Sequence, residues 1–293
     1  STQDFGTDGD AGSFTITLPT ATISKAFFTD QTLKTIQINL NALLQIQKLY
    51  AIDVNNVRDC SGNAIDPQFS HLTFALPEPA DSLDLLVNEV LFNPKPGGFD
   101  FVEVYNTSPK YINLKNWQFS NIVDGKIANP KQISEDDLII FPQSYLVFTE
   151  NLTSLKTFYF SSIEENVVEG ILPGMSDDEG SIALVDDKNH IIDDFAYSEK
   201  FHSALIKDPE GVSLERISFS VATNDQQNWK SANSASGFAT PGFINSISSI
   251  VIMFTEGVFS FRIKEYNVVV FPEPVGPETK IMPNGFLYAF STS

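Results

Sequence analysis

The chain has 293 residues, and its 18 Lys and Arg against 37 Asp and Glu give a formal net charge of −19. That charge argues against nucleic acid as a main partner, because binding to nucleic acid depends largely on cations that neutralise phosphates. The single cysteine, Cys60, excludes an internal disulfide framework, and no apolar run reaches the roughly 18–20 residues of a membrane-spanning helix.

The first part of the chain shows the alternation of apolar and polar residues that is typical of half-buried strands. This pattern predicts strands at Ser13–Leu18, Thr35–Leu40, Leu49–Val54 and Leu72–Leu76. Only Asn39–Tyr50 has apolar residues at helical spacing, and we interpret it as either a short helical turn or an approach to the next strand. The opening residues lack the basic and apolar regions of a secretory signal, so we expect a processed or excised terminus.

A boundary is predicted at Pro77 and Pro79, since prolines followed by polar residues interrupt strand pairing. After this boundary the strand-like segments are closely spaced and are separated by Gly, Pro, Asn and Asp. They are Leu83–Phe92, Phe99–Tyr105, Tyr111–Phe119, Leu138–Thr149, Ser181–Val185, Ile191–Tyr197 and Gly211–Ile217. Short strands at this spacing favour a β-sandwich or barrel over alternating strands and helices. We therefore predict an all-β chain.

The end of the chain has a different character. The segment Gly237–Asn245 closes the run of strands without periodicity, and Ile250–Phe254 with Phe259–Val270 predicts a β-hairpin. The three prolines of Phe271–Pro277 predict a stiff, extended connector.

The segment after the boundary carries a set of motifs in a fixed order. They are Val87-Asn88-Glu89, a Pro/Gly loop at Asn93–Gly98, Asp100–Asn106, Ile112–Phe119, Pro142–Phe148, Gly180–Tyr197, Gly211–Arg216, Asn228-Trp229 and Thr240–Asn245. In this order the chain from about Asp84 to Asn245 resembles bacterial lamin-tail domains, the module named after the tail of nuclear lamins. The resemblance implies an immunoglobulin-like β-sandwich.

The residues before the boundary resemble a second family. Tyr50–Ile65 is similar to the last strands of bacterial immunoglobulin-like domains of the surface-layer type, and the matching pattern runs from Tyr50 through Gly62-Asn63. The two resemblances predict that 1–79 is an immunoglobulin-like β domain with abbreviated or absent first strands. They predict a lamin-tail-like β-sandwich at 80–246 and a C-terminal extension at 247–293, with a β-hairpin and a Pro-rich tail. A pair of modules in this order is similar to large secreted surface proteins of Bacteroidetes-type bacteria.

Glu89 and Glu103 are the candidate catalytic residues. Both lie on consecutive strands joined by a Pro/Gly loop, so a hairpin would bring their carboxyl groups close together. A glycosidase needs two such carboxyls about 5–10 Å apart, one of them with a raised pKa. The alternative is that both glutamates belong to the strand pattern and bond backbone amides. We favour this alternative, because no cleft-forming loop or aromatic platform accompanies the pair, and we predict no enzyme.

Acidic residues cluster around one predicted hairpin, and Ca²⁺ is the cation that such oxygen ligands suit. The predicted metal ligands are Asp177, Asp178, Glu179, Asp186, Asp187, Asp193 and Asp194. Two further clusters are Asp4, Asp8 and Asp10, and Asp59 with Asn63. The alternative for all three clusters is a solvated acidic surface, which the net charge makes common. No cofactor other than Ca²⁺ is predicted.

Other catalytic arrangements are not supported by the sequence. The three histidines show no metal-ligand spacing, and no serine lies in a G-x-S-x-G elbow. Cys60 lies in a turn motif and is interpreted as a structural or incidental thiol. Trp117 and Trp229 lie in strand-like motifs, which favours core packing over ligand binding.

These observations predict a non-catalytic, secreted or cell-surface bacterial β-sandwich module with a structural, spacing or adhesive role. Its candidate partners are a protein, a cell surface or a polysaccharide, and no nucleic acid is expected. The alternative is a targeting or binding module of a larger secreted hydrolase or nuclease, because lamin-tail-like modules also occur beside such enzymes. The sequence leaves the ligand and the oligomeric state open.

Overall fold

The structure is a computed structural model that describes residues 2–7, 10–17, 23–28, 35–55, 67, 70–159, 166–242 and 258–262. The chain divides into two compact units, one made of Ser1–Pro77 with Ser249–Ser293 and the other of Glu78–Ser248. Both units consist of strands in their described parts, and the second also contains one α-helix and short 3-10 turns. The chain is therefore all-β in class.

The strands are numbered in chain order. The first unit contains β1 (Thr2–Thr7), β2 (Asp10–Thr17), β3 (Ile23–Phe28), β4 (Thr35–Leu40), β5 (Leu49–Asn55) and β6 (His71–Ala75). The second unit contains β7 (Leu85–Leu91), β8 (Phe101–Asn106), β9 (Ile112–Asn113), β10 (Gln118–Val123), β11 (Lys126–Gln132), β12 (Ile139–Ile140), β13 (Tyr145–Thr149), α1 (Leu152–Phe158), β14 (Val167–Glu169), β15 (Glu179–Val185), β16 (Ile191–Ser198), β17 (Leu214–Arg216) and β18 (Trp229–Ser231). The first unit resumes with β19 (Val258–Arg262).

The strands of the first unit form two antiparallel sheets, with the orders β1-β2-β5-β6 and β19-β4-β3. Ile52 of β5 and Phe74 of β6 are fully buried, and Tyr50 stacks on Phe74 with ring centroids 5.4 Å apart. β19 overlaps the start of the predicted strand Phe259–Val270 and pairs with β4. The other half of the predicted hairpin, Ile250–Phe254, and the prolines of Phe271–Pro277 lie outside the described residues.

The second unit is a β-sandwich. Its main sheets have the orders β14-β13-β8-β7-β17-β18 and β11-β10-β15-β16, and a short sheet pairs β9 with β12. Neighbouring strands are antiparallel except β13 and β14, which are parallel. The strand-like segments predicted from alternation coincide with these elements, although Tyr111–Phe119 and Leu138–Thr149 each divide into two separate strands.

Alternate side chains of the two main sheets meet in one core. Its buried members include Val90, Val104, Leu214 and Trp229 from the six-stranded sheet and Phe119, Leu184, Phe195 and Tyr197 from the four-stranded sheet. Burying each of the large apolar side chains stabilises the fold by about 1.5–3 kcal/mol. Trp229 and Phe195 stack with ring centroids 3.7 Å apart, which joins the two sheets. Trp117 is buried as well, so the predicted core packing of both tryptophans is confirmed.

A short helix covers one end of the outer face of the six-stranded sheet. α1 begins after Asn151, whose side chain accepts a hydrogen bond from the backbone N–H of Ser154 at 2.8 Å. Its buried residue, Leu155, packs with Phe101 of β8. Of the two interpretations of Asn39–Tyr50, the structure agrees with an approach to the next strand, because the stretch leads through bends and turns into β5. The expectation that no other segment is helical is corrected by α1. α1 escapes a search for helical periodicity because it has seven residues and one buried position.

The outer edge of β16 is covered by a side chain. The amide of Asn224 accepts a hydrogen bond from the backbone N–H of Ala196 at 2.8 Å and donates one to the carbonyl oxygen of Asp194 at 3.0 Å. Asn224 thus pairs with the strand as a peptide group of a neighbouring strand would. Unpaired strand edges are the places where sheets of separate molecules associate.

Replacing Asn224 with alanine should free this edge. We expect the free energy of unfolding to fall by about 1 kcal/mol, because exposed hydrogen bonds are lost. We also expect a larger sedimentation coefficient than that of the wild type at high protein concentration. The matched control is Gln227→Ala, which removes an exposed amide side chain of the same unit, and it should sediment as the wild type does. Identical sedimentation of the alanine variant and the wild type would contradict the protective role of Asn224.

Candidate functional site

Three glutamates lie side by side across the middle of the six-stranded sheet. Glu103 of β8 lies opposite Glu89 of β7, and Glu89 lies opposite Glu215 of β17. The next strand, β18, places Lys230 opposite Glu215. Directly opposed residues on antiparallel strands have Cβ atoms about 4.5–5.5 Å apart, so the carboxyl groups are neighbours. We call Glu89, Glu103 and Glu215 the carboxyl row.

The strand pattern places the carboxyl row on the face turned away from the sandwich core. Val102 and Val104 of β8 belong to the core, so the alternation of side chains puts Glu103 on the other face. On β7 the register shifts between Val87 and Glu89, and this bulge aligns Glu89 with Glu103.

Glu89 is buried, with a relative exposure of 1%. Its Oε1 accepts hydrogen bonds from Ser213 Oγ at 2.6 Å and from the backbone N–H of Thr240 at 2.9 Å. Thr240 Oγ1 lies 3.1 Å from Glu89 Oε2 and also 3.1 Å from Glu215 Oε1. The threonine hydroxyl therefore bridges two members of the carboxyl row.

Glu103 is buried too, with a relative exposure of 3%. Its Oε1 accepts a hydrogen bond from Asn88 Nδ2 at 2.7 Å, and its Oε2 accepts one from the backbone N–H of Gly242 at 2.7 Å. The carbonyl oxygen of Gly242 in turn accepts a hydrogen bond from Asn166 Nδ2 at 3.2 Å. Residues Phe238–Gly242 thus lie against the carboxyl row, and we call them the closing segment.

The electrostatics of the row follow from its burial. Burial raises the pKa of Glu89 to about 7 and the pKa of Glu103 to about 8, and the negative charge of the neighbouring glutamates acts in the same direction. Glu215 lies nearer the surface, where Lys230 Nζ contacts its Oε2 at 2.9 Å and forms an ion pair. The two inner glutamates, taken as a pair, therefore bind protons more tightly than ordinary glutamates do.

The structure confirms that a hairpin brings Glu89 and Glu103 together. A glycosidase, however, needs carboxyls that reach the substrate. Every oxygen of this pair is bonded to groups of the chain itself, and the closing segment lies against them. The arrangement suits a contact that closes the fold.

The sequence does not indicate which residues bond the two glutamates. Ser213, Thr240 and Gly242 lie 124, 151 and 139 residues along the chain from the glutamates they contact. The motifs at Gly211–Arg216 and Thr240–Asn245 contain all three residues. These motifs single out the two segments, but they do not indicate which residues the segments contact.

Asp193, a predicted metal ligand, lies inside the sandwich. Its Oδ2 accepts a hydrogen bond from the backbone N–H of Val87 at 2.8 Å and lies 3.4 Å from Arg216 Nη2. Its Oδ1 accepts a hydrogen bond from Thr223 Oγ1 at 2.6 Å. Burial raises the pKa of Asp193 to about 6, although its hydrogen bonds and Arg216 act in the opposite direction. Asp193 therefore joins β16 to β7 across the sandwich.

The other predicted metal ligands are spread along the hairpin of β15 and β16. Asp186 accepts hydrogen bonds from the backbone N–H groups of Lys188 and His190 at 2.9 and 2.7 Å and so closes the turn, which also contains Asp187. Asp194 accepts a hydrogen bond from Asn224 at 2.9 Å. The remaining ligands, at the far end of β15, are Asp177, Asp178 and Glu179.

The two ends of this hairpin are too far apart to share one ion. Strand β15 has seven residues, which at about 3.3 Å per residue separate its ends by about 20 Å. Within the described part of the chain, no group of three or more His, Cys, Asp or Glu residues is arranged to hold a metal ion. The calcium site therefore stays a prediction from the sequence.

A thermal melt distinguishes this prediction from its alternative, a solvated acidic surface, which the separation of the carboxylates favours. We expect the same melting temperature in EDTA and in millimolar Ca²⁺, because the hairpin carboxylates are separated and Asp193 is bonded within the fold. A ligand at about a hundred times its dissociation constant stabilises a protein by about 2.7 kcal/mol. A rise of several degrees with Ca²⁺, absent with Mg²⁺ as the matched control, would show that a calcium site exists.

The side chains of several other candidates lie outside the part of the chain that the structure describes. They are Asp4, Asp8, Asp10, Asp59, Cys60 and Asn63. In the described residues, no helix combines the length and the apolar character that crossing a membrane requires.

Comparison with known proteins matches the central part of the chain to one family. The family model described as Lamin Tail Domain matches residues 78–199. Among solved structures, a DUF4876 family protein from Bacteroides thetaiotaomicron is similar at 10% sequence identity, over 71% of this chain and 80% of that chain, with a TM-score of 0.31. No curated protein matches the chain.

The matched residues begin at the start of the second unit and include the hairpin of β7 and β8 and the hairpin of β15 and β16. The sandwich itself continues beyond residue 199, because β17 pairs with β7 and β18 pairs with β17. The chain therefore contains an immunoglobulin-like lamin tail domain at residues 78–199, and its six-stranded sheet is completed by β17 and β18.

Proposed function

We propose that the chain is a non-catalytic structural or adhesive module of a secreted or cell-surface bacterial protein. The observation that supports this proposal is the burial of Glu89 and Glu103, whose carboxyl oxygens are all bonded to groups of the chain itself. A carboxyl pair in this state holds two distant parts of the chain together. The lamin tail domain supplies a rigid sandwich on which a binding surface or a neighbouring domain can be positioned.

In this proposal the chain is one link in a series of β domains. Residues 1–79 form an immunoglobulin-like domain, 80–246 form the lamin-tail sandwich, and 247–293 form an extension. The antiparallel pairing of β19 with β4 supports a role for the extension in the first unit, since β19 gives the β3-β4 hairpin a third strand. Domains that follow one another in a chain in this way act as spacers or display other domains.

The proposed partners are a protein or a cell-surface polysaccharide. The net charge of −19 disfavours nucleic acid, because an acidic chain lacks the cations that neutralise phosphates. The same charge keeps the chain soluble at high concentration. As a targeting module of a larger secreted hydrolase or nuclease, the chain would have the same binding role with a catalytic domain elsewhere in the protein.

The proposal is tested with the purified chain on defined polymers. The chain is incubated with a soluble bacterial polysaccharide, with peptidoglycan and with double-stranded DNA, and the release of reducing ends or nucleotides is measured. Retention of the chain is measured by affinity electrophoresis in gels that contain each soluble polymer and by co-sedimentation with insoluble peptidoglycan. We expect no product from any polymer, and retention by a carbohydrate polymer without retention by DNA.

The glutamate variants make the test specific. If product is released and its release stops in Glu103→Gln, the non-catalytic proposal is wrong and the carboxyl row is an active site. Glu135→Gln serves as the matched control, since Glu135 is exposed and lies in a loop of the same domain. Retention by DNA would instead contradict the proposed partner class.

A further inference from the structure

The hydrogen bonds around Thr240 determine where a proton lies in the carboxyl row. Its hydroxyl lies 3.1 Å from both Glu89 Oε2 and Glu215 Oε1. A hydroxyl carries one proton, so it donates to one of these oxygens and accepts a hydrogen bond from the other. Glu215 forms an ion pair with Lys230 Nζ and therefore acts as an acceptor, so Thr240 donates to Glu215. Glu89 must then donate to Thr240, which requires a proton on Glu89 Oε2.

Glu103 has the opposite pattern. Both of its oxygens accept hydrogen bonds from N–H groups, one from Asn88 and one from Gly242. Two N–H donors suit a carboxylate that has no proton of its own. Because the two carboxyls are coupled, the raised pKa values belong to the pair, and the hydrogen bonds decide which oxygen carries the proton.

We propose that one proton, held on Glu89 Oε2, fastens the closing segment to the lamin tail sandwich, and that loss of this proton in alkaline solution releases the segment. With the proton present, the row carries a neutral carboxyl between two carboxylates. Without it, three carboxylates lie side by side, and Thr240 cannot donate to both of its neighbours. Glu89 and Glu103 are then two buried like charges, which is strongly unfavourable.

The charged and titratable groups that face Glu89 and Glu103 support the conclusion that losing the proton is unfavourable. They are Glu215 of β17, Lys230 of β18, Tyr145 of β13 and Tyr159 after α1, because Glu103 raises the pKa of Tyr145 and Glu89 that of Tyr159 beyond the effect of burial. Lys230 is the cation in this set, and it is 56% exposed and paired with Glu215. The closing segment itself, Phe238–Gly242, contains no titratable side chain. The proton on Glu89 is therefore what reduces the negative charge of the buried pair, Glu89 and Glu103.

The direction of the pH effect follows from linkage. The folded chain binds the proton more tightly than the unfolded chain, whose glutamates have the ordinary pKa of 4.5. The stability from this proton is therefore fully present below that pH, and it is lost as the pH rises through about 7 to 8. The closing segment should loosen in the same range.

Hydrogen–deuterium exchange of the full chain measures the contact itself. The backbone N–H groups of Thr240 and Gly242 donate to Glu89 and Glu103, so their protection factors report on the closing segment. We expect these protection factors to fall at least tenfold between pH 6 and pH 9, after correction for intrinsic exchange rates. The internal reference is the N–H of Ile133, which donates to the backbone carbonyl oxygen of Trp117.

Two glutamine variants identify the proton. In Glu89→Gln the new amide N–H donates to Thr240 as the protonated acid does, so protection should stay constant from pH 6 to pH 9. In Glu103→Gln the side-chain NH₂ group faces one of the two N–H donors, Asn88 or Gly242, and cannot accept its hydrogen bond. The protection factor of Gly242 should therefore be reduced at every pH. If Glu103→Gln, and not Glu89→Gln, removes the pH dependence, the proton is on the wrong residue in our proposal. If the protection factors of Thr240 and Gly242 in the wild type stay constant to pH 9, the proposal is wrong. This result needs only the wild-type chain, so it can be obtained even if neither variant folds.

Discussion

Replacing Arg216 with methionine is expected to lower the free energy of unfolding by about 3–5 kcal/mol, because it leaves a buried charge without its partner. The Arg216 side chain is 1% exposed and that of Asp193 is 5% exposed. Arg216 Nε donates to the carbonyl oxygen of Val87 at 2.7 Å, and Nη2 donates to Thr223 Oγ1 at 2.6 Å. Methionine has a similar length and fills the space, so the loss reports on the polar contacts.

Urea denaturation followed by tryptophan fluorescence measures this loss. Both tryptophans of the chain, Trp117 and Trp229, lie in the second unit, so the signal reports on the lamin tail sandwich alone. The matched control is the double variant Arg216→Met with Asp193→Asn, which removes both charges. We expect it to lose less stability than the sum of the two single variants, because residues in one network are coupled. A single variant that loses less than about 1 kcal/mol would contradict the role assigned to Arg216.

The loss should also depend on pH. Burial raises the pKa of Asp193 to about 6 while Arg216 is present, and removing the arginine raises it further. The folded variant therefore takes up a proton more readily than the unfolded chain, and its stability falls as the pH rises. We expect the difference between Arg216→Met and the wild type to be larger at pH 8 than at pH 5.

Replacing Trp229 with alanine should have a comparable effect, because it removes a ring from the centre of the core. Large aromatic-to-alanine changes in cores cost about 3–5 kcal/mol. Trp229 stacks on Phe195 at 3.7 Å, lies 5.2 Å from the guanidinium carbon of Arg216, and donates from Nε1 to the carbonyl oxygen of Thr223 at 2.7 Å. Its loss opens a cavity at the place where the two sheets meet.

Trp229→Phe separates packing from hydrogen bonding. Phenylalanine keeps a ring against Phe195 and leaves the carbonyl oxygen of Thr223 without its donor, at a cost of about 1–3 kcal/mol. Urea denaturation followed by circular dichroism measures both variants. Equal losses in the alanine and phenylalanine variants would mean that the hydrogen bond, and not the ring, carries the stability.

The alternation of side chains predicts more of the interior than composition does. If only their charge is considered, Asp193 and Asp194 are interpreted as a pair of solvent-exposed carboxylates. In a strand, however, Asp193 shares a face with Phe195 and Tyr197, which are core residues, whereas Asp194 lies on the other face. A strict period of two would have placed Asp193 inside and pointed to a buried cation as its partner.

Long-range contacts set the limit of such reasoning. The hairpin of β7 and β8 is predictable because its two motifs are neighbours in the sequence, and the alignment of Glu89 with Glu103 follows from it. The hydrogen bond from Thr240 to Glu89, 151 residues away in the sequence, is not predictable. Nothing in the sequence around either residue indicates that the two are in contact. The fold of the sandwich is therefore accessible from periodicity, whereas the contacts that close it require the structure.

The position of β7 has a consequence for how the chain reaches its fold. β7 lies in the middle of the six-stranded sheet, yet one neighbour, β8, follows at once, and Ser213 beside the other neighbour, β17, lies 124 residues after Glu89. At a synthesis rate of about 5–20 residues per second, a growing chain waits about 6–25 s before β17 is made. During that time the edge of β7 is open, and an open edge of an apolar strand is where nascent chains aggregate. Production of this protein in a cell therefore depends on protecting one strand until β17 has been synthesised.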